Sequence, residues 1–284
     1  MNQSTPRFFE FRMIHSSKPP AERVIDNSKS TGPVVVLQIT DMHLHAAADS
    51  RMRGVTTYET LLAVIEHVRR DERWPPDAIV VTGDIVQDES RAGYERFRDT
   101  LAPLGIPVYC LPGNHDDPQL MADVLCQTPF QVCGDDAIGD WTMYFLSSFA
   151  RGDDGGKIGA EAIAALDDSL SSQVSPFALV CLHHQPLPMG SAWLDGVGLR
   201  DAAAFLACIE KHSAVRGVLW GHVHQASDRN RNGVTYMSTP STCAQFLPNN
   251  DSFALDSRPP GARWLQLNAD GRIETDVDWL DDES

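Results

Sequence analysis

VVVLQITDMH, residues 34–43, is an apolar run that stops at two polar side chains, Asp41 and His43. Unbroken aliphatic and β-branched residues of this kind read as a strand covered on both faces. From Thr56 to Arg70 the period becomes helical, with Tyr58, Leu61, Leu62, Ile65 and Val68 along one face and Thr56 and Glu59 at capping-box spacing. The alternation then recurs. DAIVVTG (77–83) and IPVYCL (106–111) are strand-like, residues 89–103 and 118–126 are helix-like, and WTMYFLSS (141–148), FALVCLH (177–183) and VRGVLWG (215–221) supply further strands. Such alternation predicts an α/β fold. Near the end, Leu265 and Leu267 alternate before the turn Asn268-Ala269-Asp270-Gly271, and Ile273, Thr275, Val277 and Trp279 alternate after it, the pattern of an antiparallel hairpin. Residues 1–32 carry no sustained period and read as a poorly ordered leader, leaving 33–284 as one domain.

Charge narrows the partners. With 23 Lys plus Arg against 39 Asp plus Glu, the net charge of −16 provides no general attraction to nucleic acid or to an anionic membrane. An anionic substrate must therefore be held by a local positive site. No stretch approaches the ~20 apolar residues of a membrane span, and no signal-peptide pattern opens the chain. The six cysteines lack CxxC spacing and several lie in apolar runs, which fits free thiols in a reducing cytoplasm. The expected protein is soluble and cytoplasmic, binds neither nucleic acid nor membrane, and is compatible with a homodimer.

Five short polar clusters follow apolar runs: Asp41-Met42-His43, Gly83-Asp84, Gly113-Asn114-His115-Asp116, His183-His184 and Gly221-His222-Val223-His224. In an α/β sheet the ligand crevice lies beyond the carboxyl ends of the strands, so side chains from separate strand ends converge there. Extended residues at i and i+2 point to one side, which predicts that Asp41 with His43, and His222 with His224, each aim two groups into the same space. Gly83, Gly113 and Gly221 allow a sharp turn or a close backbone approach where the chain leaves the sheet. Imidazole nitrogens with carboxylate and amide oxygens, and no thiolate, suit iron, manganese, zinc or cobalt. The seven candidates Asp41, His43, Asp84, Asn114, His183, His222 and His224 exceed the needs of one ion. If Asp84 bridges two ions, Asp41, His43 and His224 fall to one and Asn114, His183 and His222 to the other. Two ions ~3.5–4 Å apart would share a hydroxide, bind phosphoryl oxygens and supply the local positive charge.

Each cluster alone has an ordinary structural explanation, and their joint occurrence is what argues for a site. His45, His67 and His212 fall outside the strand-end pattern and read as surface or capping residues. His184 is either an orienting or substrate-contacting neighbour of His183, or simply the next residue of a turn into Gln185-Pro186. Asp88 and Asp117 read as acids at helix N-termini, while Asp116 adjoins His115 and is placed to orient it. Segment 185–197 has the Pro and Gly of a connecting loop, yet it directly follows a candidate ligand, which leads to the expectation that Trp193 or its neighbours help cover the substrate.

Taken in order, the blocks D-x-H, G-D, G-N-H-[DE], H and G-H-x-H are present as Asp41/His43, Gly83-Asp84, Gly113-Asn114-His115-Asp116, His183 and Gly221-His222-Val223-His224. From about Val34 to Trp279 the chain thereby resembles the calcineurin-like metallophosphoesterases. The resemblance implies a four-layer α-β-β-α sandwich of two mixed sheets, a dinuclear metal site at the strand ends and a bridging Asp84. It also implies that His115, beside the metals, stabilises the phosphoryl transition state or protonates the leaving oxygen. GVTTYET (54–60), HHQPLPMGSAWLD (183–195), Leu199-Arg200-Asp201 and STPSTCAQFLPNNDSFALD (238–256) further resemble bacterial class III cyclic AMP phosphodiesterases, with departures at Gln185 and Ser147-Ser148. Expected on that basis is hydrolysis of 3′,5′-cyclic AMP to 5′-AMP, with His115 and Asp116 catalytic and Asn114, His115, His184, His224 and Trp193 contacting substrate. A phosphodiesterase for glycerophosphodiesters or other small phosphate esters is the nearest rival. A non-catalytic cyclic-nucleotide-binding module would lack a ligand or His115, and neither is lost.

Overall fold

A computed structural model describes residues 32–280, so the expected leader lies, save for Gly32, outside the described residues. The opening apolar run forms β1 (Val34–Ile39), and both its faces are covered: Val34 and Val36 pack into one apolar layer, Leu37 and Ile39 into another. A small hairpin of β2 (Arg51–Met52) and β3 (Val55–Thr56) leads into α1 (Thr57–Val68). The helix starts where the spacing predicts, but the capping box does not form. Thr56 pairs in β3 with Arg51, and its side chain makes no cap hydrogen bond. Next come β4 (Ala78–Val81), α2 (Arg91–Leu101), β5 (Val108–Cys110), α3 (Pro118–Val124) and β6 (Phe130–Val132). Ser90 caps α2 by accepting from Gly93 N, and Asp117 caps α3 by accepting from Gln119 N and Leu120 N. Asp88 has a different task from the helix acid expected of it: it accepts from Ala46 N at 2.9 Å and so ties the loop after β1 to the approach of α2.

The second half runs β7 (Gly134–Ile138), β8 (Trp141–Phe145), α4 (Ala160–Ser172), β9 (Phe177–Cys181), α5 (Ala192–Asp195), α6 (Ala202–Lys211) and β10 (Val215–Trp220). It continues with β11 (Ser227–Arg231), β12 (Val234–Ser238) and the short pair β13 (Gln245–Phe246) and β14 (Leu255–Asp256). Finally β15 (Gly261–Leu267) and β16 (Ile273–Trp279) form the antiparallel hairpin that the alternation predicts, with β15 also paired to β1.

Two six-stranded mixed sheets result, ordered β16-β15-β1-β4-β5-β6 and β11-β12-β10-β9-β8-β7. Strands β1, β4, β5 and β6 are parallel in the first, and β8, β9, β10 and β12 in the second. Outside the first sheet Leu37, Ile79 and Val81 meet Leu61, Phe97 and Met121 of α1, α2 and α3. Between the sheets pack Val36, Val80, Met143, Leu179 and Leu219, and outside the second Val180 and Val218 meet Leu166 of α4 and Phe205 of α6. The expected α-β-β-α sandwich follows from these three apolar layers. Each layer holds one fully buried tryptophan, Trp264, Trp141 and Trp220 respectively. Burying ~150–250 Å² of aromatic surface is worth roughly 4–6 kcal/mol at most, so these residues anchor the layers that carry the site. All six cysteines are free thiols. Among the described residues no helix is long and apolar enough to cross a membrane.

Candidate metal centre

Each polar cluster lies on the loop after a parallel strand: Asp41 and His43 after β1, Asp84 after β4, Asn114 and His115 after β5, His183 after β9, and His222 and His224 after β10. The pairs converge, but not by the extended i, i+2 geometry expected of them. Asp41 (φ 52°), His43 (46°), Asp84 (51°), His222 (65°) and His224 (48°) adopt left-handed backbone, and they are five of the ten non-glycine residues that do so among the described residues. This conformation is costly for L-residues and persists where surrounding contacts over-determine it, commonly at functional sites. The two aspartates provide such contacts. Both Asp41 oxygens accept from His222 N at 3.0 Å, and Asp84 Oδ1 accepts from His115 N at 2.9 Å. Each carboxylate thus ties its own loop to one from another strand.

Asp84 Oδ2 lies 3.4 Å from His183 Nε2 and 3.7 Å from His43 Nε2, so one oxygen sits between two donor groups. On one side His43 Nε2 and His224 Nε2 are 3.1 Å apart, with Asp41 Oδ1 3.5 Å from the latter. On the other, Asn114 Oδ1 is 3.1 Å from His183 Nε2, and the His183 and His222 ring centroids are 5.0 Å apart. Asp84 can occupy this place only because residue 113 is glycine. A Cβ on Gly113 would meet Asp84 Oδ1 at 2.1 Å and Asp84 N at 2.6 Å. Gly113→Ala is expected to push Asp84 aside and weaken metal binding by about 10–100-fold, the usual cost of disturbing a ligand's support. Chelator competition on the purified variant checks this.

The donors fit a pair of metal ions. His183 and His224 donate Nδ1–H to Thr82 O and Ala244 O, both at 2.6 Å, which fixes their tautomers and turns the Nε2 lone pairs toward the cluster. His43 Nδ1 and His222 Nε2 are buried without a protein partner. Burial pushes His43 and His222 down to about 3, which keeps them in the neutral form that ligates metal. Burial also pushes the Asp41 and Asp84 carboxyls up, but the facing histidines, His224 for Asp41 and His183 for Asp84, outweigh it and hold both below the ordinary range. Burial in turn pulls His183 down, yet Asp84 outweighs it and pushes the ring up to about 9, so a cation binding there displaces a proton from His183. Paired carboxylates among buried imidazole lone pairs are expensive unless cations neutralise them, and nitrogen with oxygen donors is the set that iron, manganese, zinc and cobalt accept.

His115 stands edge-on to His43 with ring centroids 5.0 Å apart, and Gln87 Nε2 donates to its Nδ1 at 3.2 Å. With the Gln87 amide in this orientation, a neutral ring carries its proton on Nε2. Asp116 does not orient this ring. Its buried carboxylate accepts from Gly113 N and Tyr94 OH at 2.9 Å, Ile85 N at 3.1 Å and Val86 N at 3.2 Å, so it clamps the loops bearing Asp84 and Asn114. Burial, with the Asp84 charge added, pushes its carboxyl up to about 7 against the pull of these donors. Asp116 is thus placed to position the loops that bear Asp84 and Asn114. His184 likewise lies behind the donors and is not among the residues lining the cavity beside the cluster. Its Nδ1 is bonded to Ser148 Oγ at 2.8 Å and its Nε2 to Asp154 O at 3.2 Å, while its ring packs 4.8 and 4.7 Å from those of His183 and His222. With both nitrogens bonded to protein, it backs His183 and His222, the orienting alternative that its position left open.

Beside the cluster opens a cavity of about 510 Å³ lined by His43, Asp84, Asn114, His115, His222 and His224, while Asp41 and His183 are fully buried. One wall is aromatic. Trp193, Phe246 and Phe253 meet edge-to-face with centroids 5.3–5.4 Å apart, and Phe246 stacks flat on His224 at 4.0 Å. Arg53 lies over the Phe253 ring at 4.6 Å. Segment 185–197 is accordingly no plain surface loop: Leu187, Met189 and Leu194 are buried, α5 lies within it, and Trp193 faces the cavity. Sequence reasoning missed Gln87, Phe246 and Phe253 and set His45 aside, although His45 also lines the cavity. The only sequence signal for the two phenylalanines was the quoted stretch 238–256.

A two-sheet sandwich with paired nitrogen and oxygen donors around a shared aspartate at its strand ends defines a dinuclear metallophosphoesterase. The chain belongs to the calcineurin-like phosphoesterase family, which it matches over residues 34–226. Members of that family work with a dinuclear metal centre, and the clustered His and Asp groups here supply the donors for one. It is 40% identical over 255 residues to a 3′,5′-cyclic adenosine monophosphate phosphodiesterase of Vibrio vulnificus, covering 88% of this chain and 92% of that one. The corresponding phosphodiesterase of Escherichia coli K12 is 38% identical over 250 residues, covering 88% and 90%. In fold it is similar to a dimetal phosphatase from Danio rerio, with a TM-score of 0.60 and 15% identity over 88% of this chain and 100% of that one. A purple acid phosphatase from yellow lupin seeds gives 0.64 and 15% over 90% and 53%.

Proposed function

We propose that this chain hydrolyses 3′,5′-cyclic AMP to 5′-AMP in the cytoplasm, as a small-molecule enzyme without a nucleic acid partner. The observation that carries the reading is the position of Asp84 Oδ2 between the two donor groups, 3.7 Å from His43 and 3.4 Å from His183, beside a cavity with an aromatic wall. Asp41, His43 and His224 would hold one ion and Asn114, His183 and His222 the other, with Asp84 shared. Bound there, iron, manganese, zinc or cobalt ions supply Lewis acidity for the phosphoryl oxygens and a water activated for attack. The protein's own groups do the rest. Water adds to phosphorus as the bond to the 3′ oxygen breaks, one of its protons ending on that oxygen as the 3′ hydroxyl, and His115 Nε2–H, aimed by Gln87, stabilises the charge that grows on the departing oxygen. The phosphate stays on the 5′ oxygen, hence 5′-AMP. The names of the relatives support cyclic AMP, and the aromatic wall favours a substrate with a flat base over a glycerophosphodiester.

Trp193 is assigned to that wall. Aromatic contact with a base is worth ~1–3 kcal/mol, so Trp193→Ala is expected to raise KM for cyclic AMP about tenfold with kcat nearly unchanged. Steady-state kinetics check it. The function itself is tested by comparing kcat/KM of the metal-loaded enzyme for cyclic AMP, cyclic GMP, 2′,3′-cyclic AMP and a glycerophosphodiester. Preference for cyclic AMP is expected, and equal or better turnover of the glycerophosphodiester would overturn the reading.

A further inference from the structure

Below the metal centre, between the two sheets, runs a chain of buried polar side chains that the reaction does not call on. Arg263 of β15 donates Nε–H to Thr239 Oγ1 at 3.1 Å, and Thr239 donates to Gln38 Oε1. Gln38 Nε2 donates to Thr82 Oγ1 at 2.8 Å, Thr82 to Thr40 Oγ1 at 2.7 Å, and Thr40 to Asp41 Oδ2 at 2.7 Å. All six residues are completely buried.

Chemistry leaves the chain only one direction. A guanidinium can only donate, so Thr239 must accept from Arg263 and spend its single proton on Gln38. The Gln38 amide is fixed because its Nε2 also faces Trp220 O at 3.2 Å, a carbonyl that can only accept. At the far end a carboxylate can only accept, so the Thr40 proton goes to Asp41 and Thr82 must donate to Thr40. Every donor therefore points from Arg263 toward the ligand. Arg263 is itself held by Asp228 Oδ1 at 2.7 Å, Ser238 O at 2.8 Å and Thr275 Oγ1 at 2.9 Å. Gly221 closes the other side of the terminus: a Cβ there would stand 2.2 Å from Thr40 Oγ1 and 2.8 Å from Asp41 Oδ2.

We propose that the relay Arg263–Thr239–Gln38–Thr82–Thr40 is a positioning device for the metal centre, holding Asp41 Oδ2 so that Oδ1 is presented to the ion shared with His43 and His224. The proposal rests on Asp41 being a metal ligand. Aligned hydrogen bonds polarise one another, so the influence of Arg263 reaches Asp41 through four intervening side chains. Outer partners of ligands typically govern metal affinity by ~10–100-fold.

The test uses the full chain with Thr40→Val, which keeps shape but removes the hydroxyl, Thr40→Ser, which restores it, and the remote Thr239→Val. Manganese affinity is measured by chelator competition, alongside melting temperature of the metal-free proteins. Thr40→Val is expected to lose about 10–100-fold in affinity, Thr40→Ser to stay near wild type, and Thr239→Val to show a smaller loss of the same sign. Wild-type affinity in Thr40→Val, or a Thr239→Val protein that melts earlier yet binds manganese normally, overturns the relay. A wild-type chain that binds no manganese overturns the metal centre itself, a separate failure.

Discussion

Asp84→Ala is expected to lose both metal ions and all metal-dependent turnover together. One oxygen of Asp84 faces a histidine of each donor group: Oδ2 approaches His183 Nε2 and His43 Nε2, while Oδ1 accepts from His115 N. Its removal withdraws a charge from each ion and a hydrogen bond from the His115 loop. The loss in affinity should exceed the ~10–100-fold attached to outer partners of a ligand, because a shared ligand is itself gone. Elemental analysis of the purified variant, with circular dichroism to verify folding, gives the result. Two ions retained per chain would contradict the bridging role.

His115→Ala should behave in the opposite way with respect to metal. The ring lies beside His43 without standing between the donor groups, and its partner is Gln87, not a ligand. Both ions should remain, while kcat falls by about 10²–10³-fold, the range found when one preorganised donor to a developing oxyanion is deleted. KM should change little. A His115→Ala enzyme with full kcat, or one that has shed its metals, would place His115 outside the role assigned to it.

The contrast between these two residues shows what could be read in advance. The set of candidate donors that the fold gathers was legible because coordination restricts residue type, and the strand ends were legible because a strand covered on both faces, such as 34–39, must be apolar throughout. Backbone conformation at the ligands was not. Asp41 and His222 look like residues continuing a strand, and their left-handed turns are imposed by bonds reaching across the sandwich, as from His222 N to Asp41. Edge strands were equally silent. Ser227–Arg231 and Gly134–Ile138 have largely exposed side chains and need no apolar alternation to pair on one side.

Partners distant in sequence decide what Asp116 and His184 touch. Asp116 follows His115 directly, yet its carboxylate is claimed by Ile85, Val86 and Tyr94, some 22 to 31 positions away. His184 is claimed by Ser148, 36 positions back. The wall of Trp193, Phe246 and Phe253 joins two segments whose connection appears only when β12 is followed by the β13–β14 turn. A sequence window contains none of these contacts, whereas the relay from Arg263 to Asp41 depends on strands at opposite ends of the chain lying side by side.

Phosphorus NMR of the manganese-loaded full chain acting on 3′,5′-cyclic AMP tests the central claim most directly, because it reports whether the bond to the 3′ oxygen breaks and at what cost to the 5′ bond. The expected spectrum shows 5′-AMP as sole product, formed only while the metals are bound and halted by chelator. Accumulation of 3′-AMP, turnover that survives complete removal of the metals, or intact cyclic AMP beside rapid hydrolysis of another phosphodiester would contradict the account.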